Sequence, residues 1–235
     1  MGIEITWLGH ASWSVRLPDV AGGDKTILID PFLDDSPTSP VKSGEVAADY
    51  ILVSHGHFDH VADTAKIARR TGALVISNYE ICEWLAKQGI DRTHPHNLGG
   101  GSAHRFGRVQ LTLAHHSSVL PDGTYGGNPS GFLLSTGGRN LYFACDTALF
   151  YDMKLIGEAG IDLAVLPIGD QFTMGPADSI RAIQLISPKI VVPSHYDTWP
   201  PIHQDAAAWA HRVRTETTAE PRVLSPGGKT VLNES

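Results

Sequence analysis

A chain of 235 residues with 42% apolar content is long enough for one large domain built on a real core. Its formal charge of −7 disfavours a dedicated nucleic-acid binder, which presents a basic face, but permits an anionic substrate met by bound cations. Two cysteines, Cys82 and Cys145, make no disulfide framework; with no leader-like N-terminal pattern and no run of eighteen apolar residues, the expectation is a cytoplasmic protein outside the membrane.

In chain order, residues 3–7, 12–17 and 26–29 read as short strands, with a Gly- and Asp-rich turn at 19–25. Asp30-Pro31 ends the third strand, because proline cannot continue a ladder. Residues 34–44, rich in proline and serine, read as a loop long enough to border a site. A strand at 50–53 leads through 54–60 into a helix at 61–70, with Asp63 in its first turn. Residues 74–77 read as a strand. Asn78 then caps a helix carrying Ile81, Trp84 and Leu85 at helical spacing and stopping at Gly89. Residues 94–101 read as irregular. Val109, Leu111 and Leu113 alternate with polar neighbours in a half-buried strand at 108–114. Residues 131–134 and 141–144 read as a hairpin around Gly137-Gly138. Helices follow at 151–159, from Pro176 to 187, and at 204–217; strands at 161–166 and 190–192, with short ones around Val223 and Val231. No internal repeat, low-complexity run or linker appears, so residues 1–235 read as a single domain.

The stretch Ser54-His55-Gly56-His57-Phe58-Asp59-His60 carries the chemistry. Four ligand-type side chains fall within six residues at a strand-to-helix junction. His55 and His57 lie two apart and turn to one point on an extended loop; Asp59 and His60 face a second point nearby. Gly56 permits a backbone shape that a side chain opposes. Mixed imidazole and carboxylate donors suit zinc, iron or manganese. Further ligands must come from distant strand ends. His116, Asp146 and His195 each follow an apolar run: Leu111-Thr112-Leu113, Leu141-Tyr142-Phe143 and Ile190-Val191-Val192.

The His-x-His-x-Asp-His pattern resembles the signature of the metallo-β-lactamase superfamily. Nearly the whole chain looks like the small metal-dependent hydrolases of that superfamily, a group related to ascorbate-phosphate lactonases. Leu8-Gly9-His10, Asp30-Pro31-Phe32, His116-Ser117, Asp146-Thr147-Ala148-Leu149, Pro167-Ile168-Gly169-Asp170, Phe172-Thr173-Met174-Gly175-Pro176, His195-Tyr196 and Pro200-Pro201 carry the resemblance in order. It implies an α+β fold, a four-layer αββα sandwich, which the two batches of strands each followed by helices also suit. By resemblance His55, His57 and His116 hold one divalent ion; Asp59, His60 and His195 hold another; Asp146 bridges them. The family places its ligand before Ser117, hence His116 rather than His115. Zinc is the first expectation, with manganese, iron or nickel as alternates.

The implied reaction is hydrolysis of a small-molecule ester, lactone or phosphoester by a hydroxide activated between two cations. Asp59 would also orient the nucleophile, and His10 would protonate the leaving group or contact substrate, or else pack as a core histidine. Asp30 would orient a ligating histidine. Asp170, Thr173 and Met174 look like a pocket rim, and Tyr196 like a donor to an oxyanion. Ser54, Ser117 and Cys145 lack the elbow of a serine hydrolase. Cys145 and His115 depart from the family pattern, in which glycine is usual at the first position and an apolar or aromatic residue is common at the second. Alternatives are a phosphodiesterase or nuclease acting on RNA or nucleotides, and a non-catalytic metal-binding regulator. The expected partner is a small-molecule substrate, with no dedicated nucleic-acid binding and no membrane; homo-oligomerisation is left open.

Overall fold

Short apolar runs separated by Gly-, Pro- and Asp-rich turns fold into two seven-stranded sheets in the computed structural model, which describes residues 2–17 and 23–233. The strands are β1 (Ile3–Trp7), β2 (Trp13–Leu17), β3 (Lys25–Ile29), β4 (Tyr50–Leu52), β5 (Leu74–Asn78), β6 (Thr93–His96), β7 (Gly101–His104), β8 (Gly107–Leu113), β9 (Ser130–Thr136), β10 (Arg139–Phe143), β11 (Leu163–Pro167), β12 (Ile190–Ser194), β13 (Glu220–Pro221) and β14 (Lys229–Leu232). The helices are α1 (Phe58–Val61), α2 (Thr64–Thr71), α3 (Tyr79–Ala86), α4 (Met153–Gly157), α5 (Pro176–Ile186) and α6 (Ala206–Glu216). The first sheet runs β14-β1-β2-β3-β4-β5-β6 and the second β13-β12-β11-β10-β9-β8-β7.

Period-two alternation sorts the side chains into layers. Ile27, Ile29, Leu52 and Ile76 enter the core between the sheets. Their neighbours Leu28, Ile51 and Val75 face the other way, against Val61, Ile67 and Ile81 of the first three helices. On the second sheet, Ile180 and Ile183 of α5 and Trp209 of α6 cover the outer face. The expected four-layer αββα sandwich is therefore the observed one. Among the described residues no helix is long and apolar enough to cross a membrane.

Strand direction puts the loops that matter together. β1 and β3 both run antiparallel to β2, and β3 to β6 are parallel. β8 and β10 both run antiparallel to β9, and β10 to β13 are parallel. So β1, β3 and β4 end on one edge of their sheet, and β8, β10, β11 and β12 end on one edge of the other.

Several elements differ from the sequence expectation. The helix expected at 61–70 is broken at Ala62-Asp63. There the Asp63 amide bonds Pro31 O at 3.2 Å, and its carboxylate accepts the Leu33 and Asp34 amides at 2.6 and 3.0 Å. Residues 94–101, expected to be irregular, contribute β6 and β7; each is the outermost strand of its sheet, where Pro95 has no second neighbour to bond. Leu113 is exposed, and Val223 lies past β13. The turn expected at 19–25 falls mostly outside the described residues. The hairpin turns on Gly137 and Gly138, both at positive φ (55° and 71°), as a type I′ turn requires.

Asn78 does more than cap. Its Oδ1 accepts the Ile81 amide at 2.9 Å, and its Nδ2 donates to Gly126 O and Asn128 O at 2.7 and 3.1 Å. It thus ties α3 to the loop after β8. Asn78→Ala is expected to cost about 2–3 kcal/mol in urea unfolding, a lost cap plus stranded carbonyls. Amide exchange should quicken across 121–129; unchanged exchange there would show that the loop stands without this tie.

Candidate metal centre

The site begins with a carboxylate that has no solvent contact. Asp30 follows β3 in a left-handed conformation (φ 45°) and is fully buried. It accepts the Ser54 amide and hydroxyl at 2.7 and 2.6 Å, and Nδ1 of His60 at 2.9 Å. Ser54 Oγ, donating to Asp30, accepts from Nδ1 of His55 at 2.9 Å. Both histidines therefore hold their Nδ1 protons on this scaffold and leave Nε2 free.

Those free nitrogens meet others. His55 Nε2 lies 2.9 Å from His57 Nδ1, which lies 3.3 Å from His116 Nε2. Asp146 Oδ2 is 3.3 Å from His60 Nε2, 3.6 Å from His116 Nε2 and 3.0 Å from His195 Nε2. Asp59 Oδ2 is 3.8 Å from His60 Nε2. Among the described residues three groups have metal-ligand spacing: His55, His57 and His116; His10, Asp59, His60 and His195; and Asp30, His55 and His60, the buried scaffold that joins the other two. Asp146 lies between the first two.

The electrostatics suit a cation. Burial pulls the pKa of His55 well down and lowers those of His57 and His116, so these three are neutral with lone pairs available. Burial also opposes charge on His60, yet Asp146, Asp59 and Asp30 outweigh it and raise its pKa well above the usual value. Burial likewise opposes ionisation of Asp146 and Asp59. For Asp146 the nearby His195 and His60 win, and for Asp59 His60 and His10 win; both stay well below the carboxylate range. Negative charge thus concentrates where positive charge is called for.

The donor set fits a divalent ion. Three nitrogens around one tetrahedral zinc lie about 3.4 Å apart; the separations of 2.9 and 3.3 Å in the first group approach this. In the second, His60 Nε2 and Asp146 Oδ1 are buried without a hydrogen-bond partner, which a cation would supply.

The remaining sequence candidates fall in different places. His10 is fully buried, with Nδ1 at 2.8 Å from Thr198 Oγ1 and Nε2 at 3.0 Å from Asp59 Oδ2. Burial, helped by His195, lowers its pKa to about 4, so it is neutral and donates to Asp59 from behind. It does not line the open cleft of about 650 Å³ above the cluster, and it contacts Asp59, which does. His115 is exposed against Phe150, away from the cluster. Tyr196 is buried, stacks on Trp7 with ring centroids 5.2 Å apart, and is not among the residues lining the cleft. Met174 is buried in the core, and of that loop Phe172 lines the cleft. Cys145 lies beyond the end of β10 at φ 52°, not within the strand. Sequence reasoning missed Ser54 as the link between Asp30 and His55, Thr198 behind His10, and Gly169. An added Cβ at Gly169 would sit 2.2 Å from His195 O and 3.3 Å from His195 Nδ1. The Asp-Pro and Ile-Gly-Asp strand exits were visible, but not what they touch.

Two outcomes follow from this packing. Asp30→Asn should weaken metal binding about 10- to 100-fold in chelator competition while leaving the far-UV spectrum native; unaltered affinity would remove Asp30 from the site's support. Gly169→Ala should displace His195 and cost about 1–3 kcal/mol of stability along with metal affinity. A crystal structure of that variant with His195 unmoved would contradict the steric account.

The comparisons agree on kinship. The family model described as beta-lactamase superfamily domain matches residues 25–196. A UPF0173 metal-dependent hydrolase of Thermus thermophilus is 48% identical over 225 residues, covering 96% of this chain and 97% of that protein. One from Carboxydothermus hydrogenoformans is 44% identical over 98% of this chain and all of its own length. The solved structure of Igni18, a metallo hydrolase from the archaeon Ignicoccus hospitalis, is similar at TM-score 0.88 and 32% identity, with both chains fully covered. The chain therefore belongs to the beta-lactamase superfamily, in its group of UPF0173 metal-dependent hydrolases.

Proposed function

We propose that the protein is a hydrolase of small-molecule esters, lactones or phosphoesters that works with two divalent ions, zinc in the first place. His55, His57 and His116 would hold one and Asp59, His60 and His195 the other, with Asp146 shared. Asp146 carries the case: one carboxylate oxygen within 3.0–3.6 Å of imidazoles from both groups is the arrangement a bridging ligand needs.

Bound there, the cations would acidify a water and polarise the substrate oxygen. The chain does the rest. Asp59 is ionised and lines the cleft, so its carboxylate can accept a hydrogen bond from the attacking water and orient it. His10 Nε2–H, backed by Thr198, fixes the rotamer of Asp59. Ser117 Oγ, 3.4 Å from His57 Nε2, steadies that ring from the cleft side. Phe58 and Trp199, with rings 6.2 Å apart, shield one flank from bulk water.

The test is to strip the protein with chelator and titrate it with zinc, manganese, iron or nickel against lactones, carboxylic esters and phosphoesters. Activity should saturate at two equivalents, and His57→Ala should lose more than about a hundredfold. Saturation at one equivalent would refute the paired ions, and undiminished turnover in the variant would place the chemistry elsewhere.

A further inference from the structure

The cleft walls are chemically one-sided. Five of the seven proposed ligands do not form walls so much as a floor: His57, Asp59, His116, Asp146 and His195 line its base, with Ser117 beside them. The sides come from four separate segments. Phe58 opens α1; Val119, Leu120 and Pro121 follow β8; Phe172 follows β11; Trp199 follows β12. No Lys or Arg is among the lining residues. Phe58, Val119 and Phe172 are 56%, 46% and 54% exposed, so large apolar groups face water on both sides of a charged floor. Exposed apolar surface of this kind, continuous with a polar centre, is what a ligand with an apolar portion covers.

Charge points the same way. An ester that carries a carboxylate remote from the reacting carbonyl brings anionic oxygens that the floor does not meet, and these need partners of their own. Apart from the proposed ligands, Ser117 and the indole of Trp199 are the polar side chains among the described residues lining the cleft, and the formal charge of the chain is −7. An anion remote from the reacting bond would meet phenyl, indole and aliphatic carbon instead.

We infer that the cleft selects uncharged esters or lactones bearing an extended apolar acyl or alkyl group, and discriminates against esters whose tail carries an anionic group; this rests on the hydrolase reading above. In the reaction, water oxygen bonds to the carbonyl carbon and the carbon–oxygen bond to the alkoxy group breaks. The proton taken from water passes to the alkoxide, giving a carboxylic acid and an alcohol, or a hydroxy acid from a lactone. No oxidant or reductant is needed. The walls contribute by covering the apolar group, which holds the carbonyl over the floor.

The experiment separates binding from turnover, using the metal-replete protein. Calorimetric titration with n-alkyl hydroxamates from acetyl to octanoyl lets a chelating head seek the floor while the tail reads the walls. In parallel, kcat/KM is measured for p-nitrophenyl esters of the same chain lengths and for p-nitrophenyl esters whose acyl chain ends in a carboxylate. A methylene withdrawn fully from water gains about fourfold, so with about half of it covered each added carbon should gain about twofold. Phe172→Ala should flatten both series, mainly through KM. Hydroxamate affinity indifferent to chain length, or a carboxylate-ended ester hydrolysed faster than its uncharged counterpart of equal length, overturns the inference while leaving a metal-dependent hydrolase in place. Hydroxamates that discriminate by length while every ester stays idle would uphold the apolar cleft and sink the ester-hydrolase reading. Length-independent binding together with a dimer that Phe172→Asp dissolves would assign the rim to a second copy of this chain instead.

Discussion

The Asp30 carboxylate is the contact on which the site depends. Buried without exposure, it holds the Ser54 amide, the Ser54 hydroxyl and the His60 ring at once. Through Ser54 it also orients His55. One side chain from the end of β3 therefore sets the tautomer of a histidine in each metal-ligand group. Its φ of 45° costs local strain that surrounding contacts must offset. That conformation is shared by His10, Cys145, Asp170 and His195, all at strand exits on the same edge. Non-glycine residues seldom adopt it. The edge trades backbone comfort for side chains held in place before any ligand arrives.

Much of this was legible in the chain. The 54–60 stretch declares ligands by their density, and the apolar runs before His116, Asp146 and His195 mark them as strand exits. Asn78 and Gly137-Gly138 were readable because capping and tight turns are local chemistry. What escaped was set by distant partners. The break at Ala62-Asp63 exists because Asp63 turns to bind the 31–34 loop, which no helical periodicity reports. Residues 94–101 read as irregular because sequence does not reveal that β6 has a free side, where Pro95 is tolerated. Tyr196 next to His195 suggested catalysis, yet Trp7 claims its ring. The cleft walls were invisible because Phe58, Val119, Phe172 and Trp199 share no spacing.

The floor and the walls of the cleft answer different demands. The floor gathers carboxylates and imidazoles whose charges compensate one another and call for a cation. The walls are carbon. Loops supply the walls and strand ends anchor most of the floor, so the chemistry can stay fixed while the neighbouring loops change. Asn78 fastens the loop after β8, which carries part of the walls, to a helix packed on the opposite sheet.

β14 completes the first sheet by pairing with β1, Ile3 opposite Leu232. On a ribosome these are the first and last described strands to emerge. The outer flank of β1 must wait bare while everything between is made, and a bare flank recruits whatever strand comes by. Lys229, bonded to Glu4 across that late seam at 2.8 Å, gives the arriving strand a charge partner on its waiting neighbour. Nascent molecules stalled before residue 229 should therefore be the ones that need a chaperone's cover.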